Sequence, residues 1–298
     1  MTDFVKYQAL GNDYLVVDTD RLGLVPGPDL ARTLCDRHRG VGADGVLAGP
    51  DFPVPAGEPV PVTTYNSDGT LCDRSVNGVR MFALHLVEQG LVTPERAGAE
   101  LVIRTPAGDS SVRVEDAERG MVSVRLAPPS FDLVGGAVGW TGSAAEPQLA
   151  AAGTQWRTCY VHNGNPHAVV FVDEPTESLA RELGPEFAGA SCFPQRVNVG
   201  FVRVVDRDTL DLRIYERGAG YTLASGSSSC AAASAARRLG QVSNRVTVRM
   251  PGGEVVVSFD DQFRVSLTGP VEKVASGEFA TPLLRRLGAR RLTERVPA

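Results

Sequence analysis

The chain has 298 residues, 43% of them hydrophobic and 22% charged, which is typical of a globular protein long enough for two domains. Its formal net charge of −5 argues against a nucleic-acid partner, because binding phosphates needs a basic face. No apolar run reaches transmembrane length and Met1–Leu10 lacks a signal-peptide pattern, so we expect a cytoplasmic protein with no membrane partner.

The sequence also argues against the common cofactors. The five cysteines form no CxxC pair and the four histidines have no metal-site spacing, which predicts free thiols and no bound metal. Lys6 and Lys273 are the only lysines, and both lie in strand-like sequence, whereas a pyridoxal enzyme needs a lysine in its site. Neither GxxxxGK[ST] nor GxGxxG occurs. We therefore expect no cofactor.

The first half of the chain alternates strand-like and helical segments. The apolar run Leu15–Val17 predicts a strand. Ser75 precedes a stretch of helical character, Asn77–Val87, and Gly90 gives the expected stop signal. The segment Val102–Thr105 then predicts a strand that ends in a tight turn.

The second half repeats this order at an offset of about 150 residues. A strand is predicted at Ala168–Val172, Ser225 precedes a helix at Ser227–Arg238, Gly240 ends that helix, and Thr247–Met250 is the following strand. We therefore predict an internally duplicated protein with two lobes.

Duplication has a chemical consequence, because two similar halves tend to pack around a pseudo-twofold axis. The helix N-termini at Ser75 and Ser225 would then lie on opposite sides of one cleft. Free N–H groups at a helix N-terminus suit a carboxylate. Such symmetry suits chemistry with one group on each face of a planar carbanion, meaning racemisation or epimerisation. The repeat alone leaves a second interpretation open, in which both serines are plain helix N-caps.

Six motifs occur in order along the chain: LGNDY, GVGADG, YNSDG followed by NGVR, GNPH, RVNVGF and YERGAGYTLASG. In order and spacing they resemble the diaminopimelate epimerase family from about Phe4 to about Gly277. The resemblance implies an α/β protein of the α+β type, with two pseudo-symmetric lobes, each a mainly antiparallel β-structure around a central helix. We place the N-terminal lobe at 1–128, with 273–298 returning to it, and the C-terminal lobe at 129–272.

The resemblance also implies a function. Members of this family are cytoplasmic, pyridoxal-independent isomerases that interconvert LL- and meso-diaminopimelate for lysine and cell-wall synthesis. The implied ligand is a small amino acid, and the family suggests a homodimer. Carried over position by position, the catalytic residues are Ser75, Ser225, His167 and Glu216. The substrate-binding residues are Asn12, Asn66, Val76, Asn77, Asn165, Asn198, Glu216, Arg217, Gly226 and Ser227.

These residue types suit an amino-acid ligand. An asparagine amide both donates and accepts hydrogen bonds, so it can serve an ammonium–carboxylate pair. Arg217 can bind a carboxylate through two N–H groups. Any one of the asparagines alone would be interpreted as a turn residue, and only the ordered set favours a binding site.

The two nucleophile positions depart from the family pattern. Where the family has CGNG, this sequence has SVNG beginning at Ser75, and where it has CGT or CGS, this sequence has SGS beginning at Ser225. Val76 replaces a glycine beside the first position. Cys72 and Cys230 are out of register and do not substitute. The departure matters because a thiol ionises far more readily than a serine hydroxyl, which needs an adjacent base.

Three interpretations of the serines follow. The chain is an epimerase that carries an engineered double cysteine-to-serine substitution, which leaves Val76 unexplained. Alternatively, it is a naturally divergent isomerase, lyase or dehydratase that acts on an unusual amino acid with Ser75 and Ser225. In the third interpretation it is a non-catalytic amino-acid-binding protein. Elimination removes a proton from one face only, so it tolerates the loss of a thiol pair better than epimerisation does.

Overall fold

The computed structural model describes residues 2–49, 58–73, 75–92, 100–132, 140–143, 146–151, 153–193 and 196–289. Over these ranges, no helix is long and apolar enough to cross a membrane. All five cysteines are free thiols. The chain divides into two compact units, the first formed by residues 1–124 and 270–298 and the second by residues 125–269.

The first unit is built mainly from antiparallel strands. Its strands are β1 Phe4–Ala9, β2 Asn12–Val17, β3 Gly45–Ala48, β4 Val60–Pro61, β5 Thr63–Asn66, β6 Leu71–Cys72, β7 Leu101–Thr105, β8 Gly108–Asp116 and β20 Glu272–Gly277, and β9 Met121–Leu126 leads out of the unit. Six of them form a sheet in the order β20-β1-β2-β3-β5-β6, in which only β2 and β3 are parallel. The others follow the order β9-β8-β7-β4.

The described residues of the first unit form the helices α1 Thr19–Leu22, α2 Pro28–Cys35, α3 Val76–Glu88 and α6 Thr281–Arg286. Helix α2 begins with a proline in its first turn and buries its apolar face, which includes Leu30 and Leu34. These side chains pack with Leu15 and Val17 of β2 and Val46 of β3 in one apolar core.

The second unit repeats this plan. Its strands are β10 Trp140–Ser143, β11 Glu146–Ala151, β12 Thr154–His162, β13 Pro166–Phe171, β14 Asn198–Asp206, β15 Thr209–Glu216, β16 Gly220–Thr222, β17 Arg245–Met250, β18 Gly253–Phe259 and β19 Val265–Pro270, and its helices are α4 Glu177–Ala188 and α5 Gly226–Arg238. The strands from β10 to β15 are neighbours in chain order, followed by β17, β18 and β19, while β16 pairs with β15. Phe187 of α4 meets Phe201 of β14 edge-to-face, with ring centroids 5.7 Å apart.

In each unit, a helix among the described residues is buried along most of its length. In α3 the buried side chains include Phe82 and Leu84, and in α5 every position from 228 to 236 is a buried serine, alanine or cysteine. Small side chains let strands approach α5 closely on several sides, which explains why a helix with few large apolar residues occupies a core. The predicted mixed α+β fold with a central helix in each lobe is confirmed.

Both central helices begin one residue earlier than the sequence predicted. The reason is that the serines at 75 and 225 take the N-cap positions, so that the next residue is already helical. The predicted ends are confirmed, since Gly90 and Gly240 both have positive φ, at 64° and 70°.

The duplication extends to strand register. In the first unit, parallel β2 and β3 are followed by antiparallel β5, and Gly45 of β3 pairs with Asn66. In the second unit, parallel β13 and β14 are followed by antiparallel β15; His167 of β13 pairs with Asn198, and Glu216 ends β15. Polar side chains therefore lie at the ends of β2 and β5 in the first unit, and at or next to the ends of β13, β14 and β15 in the second.

Candidate active site

Ser75 begins the central helix of the first unit. Its backbone is extended, with φ −106° and ψ 118°, and its Oγ accepts a hydrogen bond from the backbone N–H of Gly78 at 3.0 Å. This satisfies one of the N–H groups that a helix start leaves unpaired. Val76 is half-buried and Asn77 is 7% exposed. The hydroxyl is thus held as a capping group beside two predicted substrate-binding positions.

Asn12 and Asn77 are brought together by a direct hydrogen bond. The Nδ2 of Asn77 donates to Oδ1 of Asn12 at 3.1 Å, and Nδ2 of Asn12 donates to Oδ2 of Asp44 at 3.0 Å. Two residues that are 65 apart in sequence therefore act as one polar group at the start of β2 and α3.

The carboxylates next to this group are held by cations. Asp13 lies 2.7 Å from Nζ of Lys6 and 2.9 Å from a guanidinium nitrogen of Arg37, which also contacts Asp44 at 2.9 Å. Burial alone would raise the pKa of Asp13, but the hydrogen bonds from Arg37 and Lys6 outweigh it and hold that pKa below its usual value. Asp13 is therefore ionised at neutral pH.

Asn66 closes the turn between β5 and β6. Its Nδ2 donates to Oγ1 of Thr70 at 2.9 Å, and that hydroxyl donates in turn to Asp68 at 2.6 Å. The amide oxygen of Asn66 is therefore the atom of this side chain that can accept a hydrogen bond from another group. A local turn thus holds the side chain of Asn66, and its hydrogen bond to Thr70 is not part of the Asn12–Asn77 contact.

In the second unit, His167 is 1% exposed and its Nε2 lies 2.8 Å from Oδ1 of Asn165. An amide oxygen only accepts, so this contact assigns the proton to Nε2 and leaves Nδ1 as the acceptor. Burial, followed by the charges of His162 and Arg217, lowers the pKa of His167 to about 3. His167 is therefore a neutral imidazole at pH 7.

Asn198, Glu216 and Arg217 meet at the ends of β14 and β15. The backbone N–H of Arg217 donates to Oδ1 of Asn198 at 2.9 Å. Glu216 is half-buried, Arg217 is exposed, and Glu216 pairs with Gly220 across the hairpin that leads to β16. The structure thus places three of the predicted binding residues on adjacent strand ends.

Ser225 is 5% exposed and takes the N-cap position of α5, but its side chain makes no capping hydrogen bond. Its Oγ lies 3.4 Å from Oγ of Ser227, and its carbonyl accepts from both the N–H and the hydroxyl of Ser229. Gly226 follows it as the first helical residue. The side chain of Asn163 donates to the carbonyl of Ser227 at 2.9 Å and so ties the loop before β13 to this first helical turn.

Each serine hydroxyl hydrogen-bonds within its own unit, Ser75 to the backbone N–H of Gly78 and Ser225 to the hydroxyl of Ser227. Among the described residues of that unit, no imidazole or carboxylate is hydrogen-bonded to Oγ of Ser75 or Ser225. That the two serines face each other stays a prediction.

The comparison with known families decides the chain's family. Residues 4–131 and 159–274 match the family model described as diaminopimelate epimerase. The chain belongs to the diaminopimelate epimerase family. Its reaction class is accordingly that of an isomerase, an amino-acid epimerase or racemase.

Individual relatives support this membership over nearly the whole chain. "Diaminopimelate epimerase 2" of Nostoc sp. is 37% identical over 283 residues, covering 94% of this chain and 96% of the relative. "O-ureido-serine racemase" of Streptomyces lavendulae is 38% identical over 284 residues, covering 93% and 94%. A solved structure of a probable proline racemase from Agrobacterium radiobacter shares the fold, with a TM-score of 0.67 at 14% identity, covering 94% of this chain and 93% of that one.

Three polar residues in contact with the predicted site were missed by the sequence reasoning. Asp44 bonds Asn12, Arg80 bonds Asn77, and Asn163 bonds the carbonyl of Ser227. Asp44 and Arg80 lie inside motifs that were recognised, GVGADG and NGVR. An arginine between the apolar residues Val79 and Met81 of the central helix was the available signal, because a buried arginine needs partners.

Proposed function

We propose that this member of the diaminopimelate epimerase family is a pyridoxal-independent α-amino-acid epimerase, and that LL- and meso-diaminopimelate are its substrate pair. The observation that carries the proposal is the arrangement of the second unit. There His167, Asn198 and Glu216 lie on the ends of three neighbouring strands, in the same unit as the buried helix start at Ser225. The near-complete coverage of diaminopimelate epimerase relatives supports the substrate.

In this proposal, each end of the ligand's amino-acid group has a partner. The substrate carboxylate binds the N–H groups of Gly226 and Ser227 and the guanidinium of Arg217, since a helix N-terminus favours anions. The ammonium binds the carboxylate of Glu216. The neutral His167 keeps positive charge away from the ammonium and offers Nδ1 as an acceptor.

The proton transfer is the demanding step. One group removes the α-proton as a base, and the resulting planar carbanion takes a proton from an acid on the opposite face. We assign these two positions to Ser75 and Ser225, where the family pattern has cysteines. Because a serine hydroxyl ionises far less readily than a thiol, we expect this chain to exchange the α-proton slowly.

A second substrate is favoured by one relative. The O-ureido-serine racemase is as similar to this chain as the diaminopimelate epimerases are. O-ureidoserine has the same amino-acid end with an uncharged polar distal group, so the groups at Arg217 and Glu216 suit both ligands.

The proposal is tested by incubating the protein with LL-diaminopimelate, O-ureido-L-serine and L-lysine in deuterated water. We expect a gain of one mass unit and the opposite α-configuration in one of the first two, and neither change in lysine. Loss of the distal group would instead support a lyase. Binding by calorimetry without any exchange would support a non-catalytic binding protein, and the proposal would then be wrong.

A further inference from the structure

A line of hydrogen bonds runs from a buried arginine to a half-exposed carboxylate in the first unit. Arg80 is fully buried, and its guanidinium donates to Oδ1 of Asn77 at 2.8 Å and to the carbonyl of Pro270 at 3.4 Å. Asn77 donates to Asn12 at 3.1 Å, and Asn12 donates to Asp44 at 3.0 Å. We refer to Arg80, Asn77, Asn12 and Asp44 as the amide relay.

The two ends of the amide relay have opposite hydrogen-bonding character. A guanidinium has only donors, and an ionised carboxylate has only acceptors. Asn77 must therefore turn its oxygen to Arg80, and its nitrogen then faces the oxygen of Asn12. Asn12 in turn must point its nitrogen at Asp44. Reversing either amide would place two donors or two acceptors against each other, which costs a buried hydrogen bond.

Several hydrogen bonds fix the carboxylate of Asp44, which accepts from Asn12. Its other carboxylate oxygen accepts from Arg37 at 2.9 Å, and its Oδ2 also accepts from the backbone N–H of Asp13 at 3.1 Å. Its backbone N–H donates to a carboxylate oxygen of Asp13 at 3.0 Å. The acceptor end of the amide relay is thus fixed by backbone and side-chain contacts together.

We infer that Arg80 and Asp44 are positioning residues that fix the orientation of Asn12 and Asn77. Both amide oxygens are committed to protein donors, while each amide nitrogen keeps a second N–H. The first unit therefore presents hydrogen-bond donors beside the helix start at Ser75, which selects for a carboxylate on the ligand. The identity of the ligand in this inference rests on the proposed function, whereas the orientation of the two amides is independent of that function.

The matched pair Asp44→Asn and Asp109→Asn tests the inference. Asp109 is an equally exposed aspartate, at 43% against 42% for Asp44, and is also paired with an arginine, but it lies outside the amide relay. Side-chain NH2 signals of Asn12 and Asn77 in NMR spectra would be assigned by their disappearance in Asn12→Asp and Asn77→Asp. We expect Asp44→Asn to shift both signal pairs and Asp109→Asn to shift neither. Unchanged signals in Asp44→Asn would overturn the inference.

Binding of LL-diaminopimelate by calorimetry gives the second readout. We expect Asp44→Asn to weaken it about tenfold, the effect of disturbing one hydrogen bond to a charged group, and Asp109→Asn to leave it unchanged. Shifted amide signals with full affinity would also overturn the positioning role. If the parent protein binds no amino acid, the proposed function is wrong. The amide NMR signals alone then test whether the amide relay fixes the orientation of Asn12 and Asn77.

Arg80→Lys and Arg80→Met extend the test to the buried end. Lysine is also a pure donor, so Arg80→Lys should keep the Asn77 signals close to those of the parent, whereas Arg80→Met should shift them. Melting temperatures identify a variant that fails to fold, and in that case Asp44→Asn decides the question. Equal signals in both folded Arg80 variants would contradict the role of Arg80.

Discussion

Burial determines the charge of the histidine next to Asn165. The folded-state pKa of His167 is about 3, below the value of about 6.5 for an exposed imidazole. Above pH 6.5 the imidazole is neutral in both the folded and the unfolded chain. Below that pH, the unfolded chain binds a proton that the folded chain excludes until the pH approaches 3. Stability is therefore lost as the pH falls through this window.

The variant His167→Gln should reduce this pH dependence. We expect the free energy of unfolding of the parent to fall by roughly 1.4 kcal/mol more per pH unit than that of the variant between about pH 6 and pH 4. Urea denaturation at several pH values measures both slopes. Half-buried His85, whose pKa is also lowered by desolvation, keeps part of the slope in the variant. Exposed His38→Gln is the control, and an equal change of slope in that variant would contradict the assignment.

Arg217 provides the second prediction for a single residue. If it binds the substrate carboxylate, Arg217→Ala should weaken binding of LL-diaminopimelate by roughly 1.5–3 kcal/mol, as expected for a charged hydrogen bond. Arg264→Ala removes another partly exposed arginine, which pairs with Asp260 at 2.6 Å, and should leave the affinity unchanged. Calorimetry measures both values. Unchanged affinity in Arg217→Ala would show that the carboxylate binds elsewhere.

At the scale of elements, the two central helices begin in the same way but are capped differently. Ser75 caps α3 through its hydroxyl, whereas Ser225 makes no side-chain cap to α5. The two serines are therefore not interchangeable, although the repeat aligns them. The hydroxyl of Ser75 accepts a hydrogen bond from the first turn of α3, whereas among the described residues the hydroxyl of Ser225 is hydrogen-bonded to that of Ser227.

Alanine substitution should separate these two functions. Ser75→Ala should lower the free energy of unfolding by about 1 kcal/mol, because a backbone N–H at the helix start loses its acceptor. Ser225→Ala should lower it by less than about 0.5 kcal/mol, because no capping bond is lost. Urea denaturation of both variants under identical conditions measures the difference. Equal losses in the two variants would contradict a specific stabilising role for the capping hydrogen bond at Ser75.

At the scale of the whole molecule, duplication places a serine at the N-cap of the central helix in each unit. Restoring thiols at both positions should therefore restore the reaction that the proposal assigns. We expect Ser75→Cys combined with Ser225→Cys to give strong α-proton exchange on diaminopimelate without a cofactor, and each single variant to recover little, because the acid and the base act as one unit. Mass spectrometry in deuterated water measures the exchange.

Val76 makes this prediction more specific. A valine beside position 75 takes space that a glycine would leave to the substrate. In one outcome, the double cysteine variant shows no α-proton exchange while the triple variant that adds Val76→Gly does exchange. In that case the side chain of Val76 obstructs the substrate. If neither variant exchanges deuterium, the diaminopimelate assignment is wrong.

The sequence by itself determined the duplication, the central helices and the family. These features depend on local signals, such as serine before a helix, glycine after it and motifs in fixed order, which act through backbone conformation and need no distant contact. Only the tertiary structure decided which amide faces which. Asn12 meets Asn77 across 65 residues, and burial of Arg80 and His167 fixes hydrogen-bond direction and charge. Desolvation and amide orientation depend on what surrounds a group in space, which residue spacing does not encode.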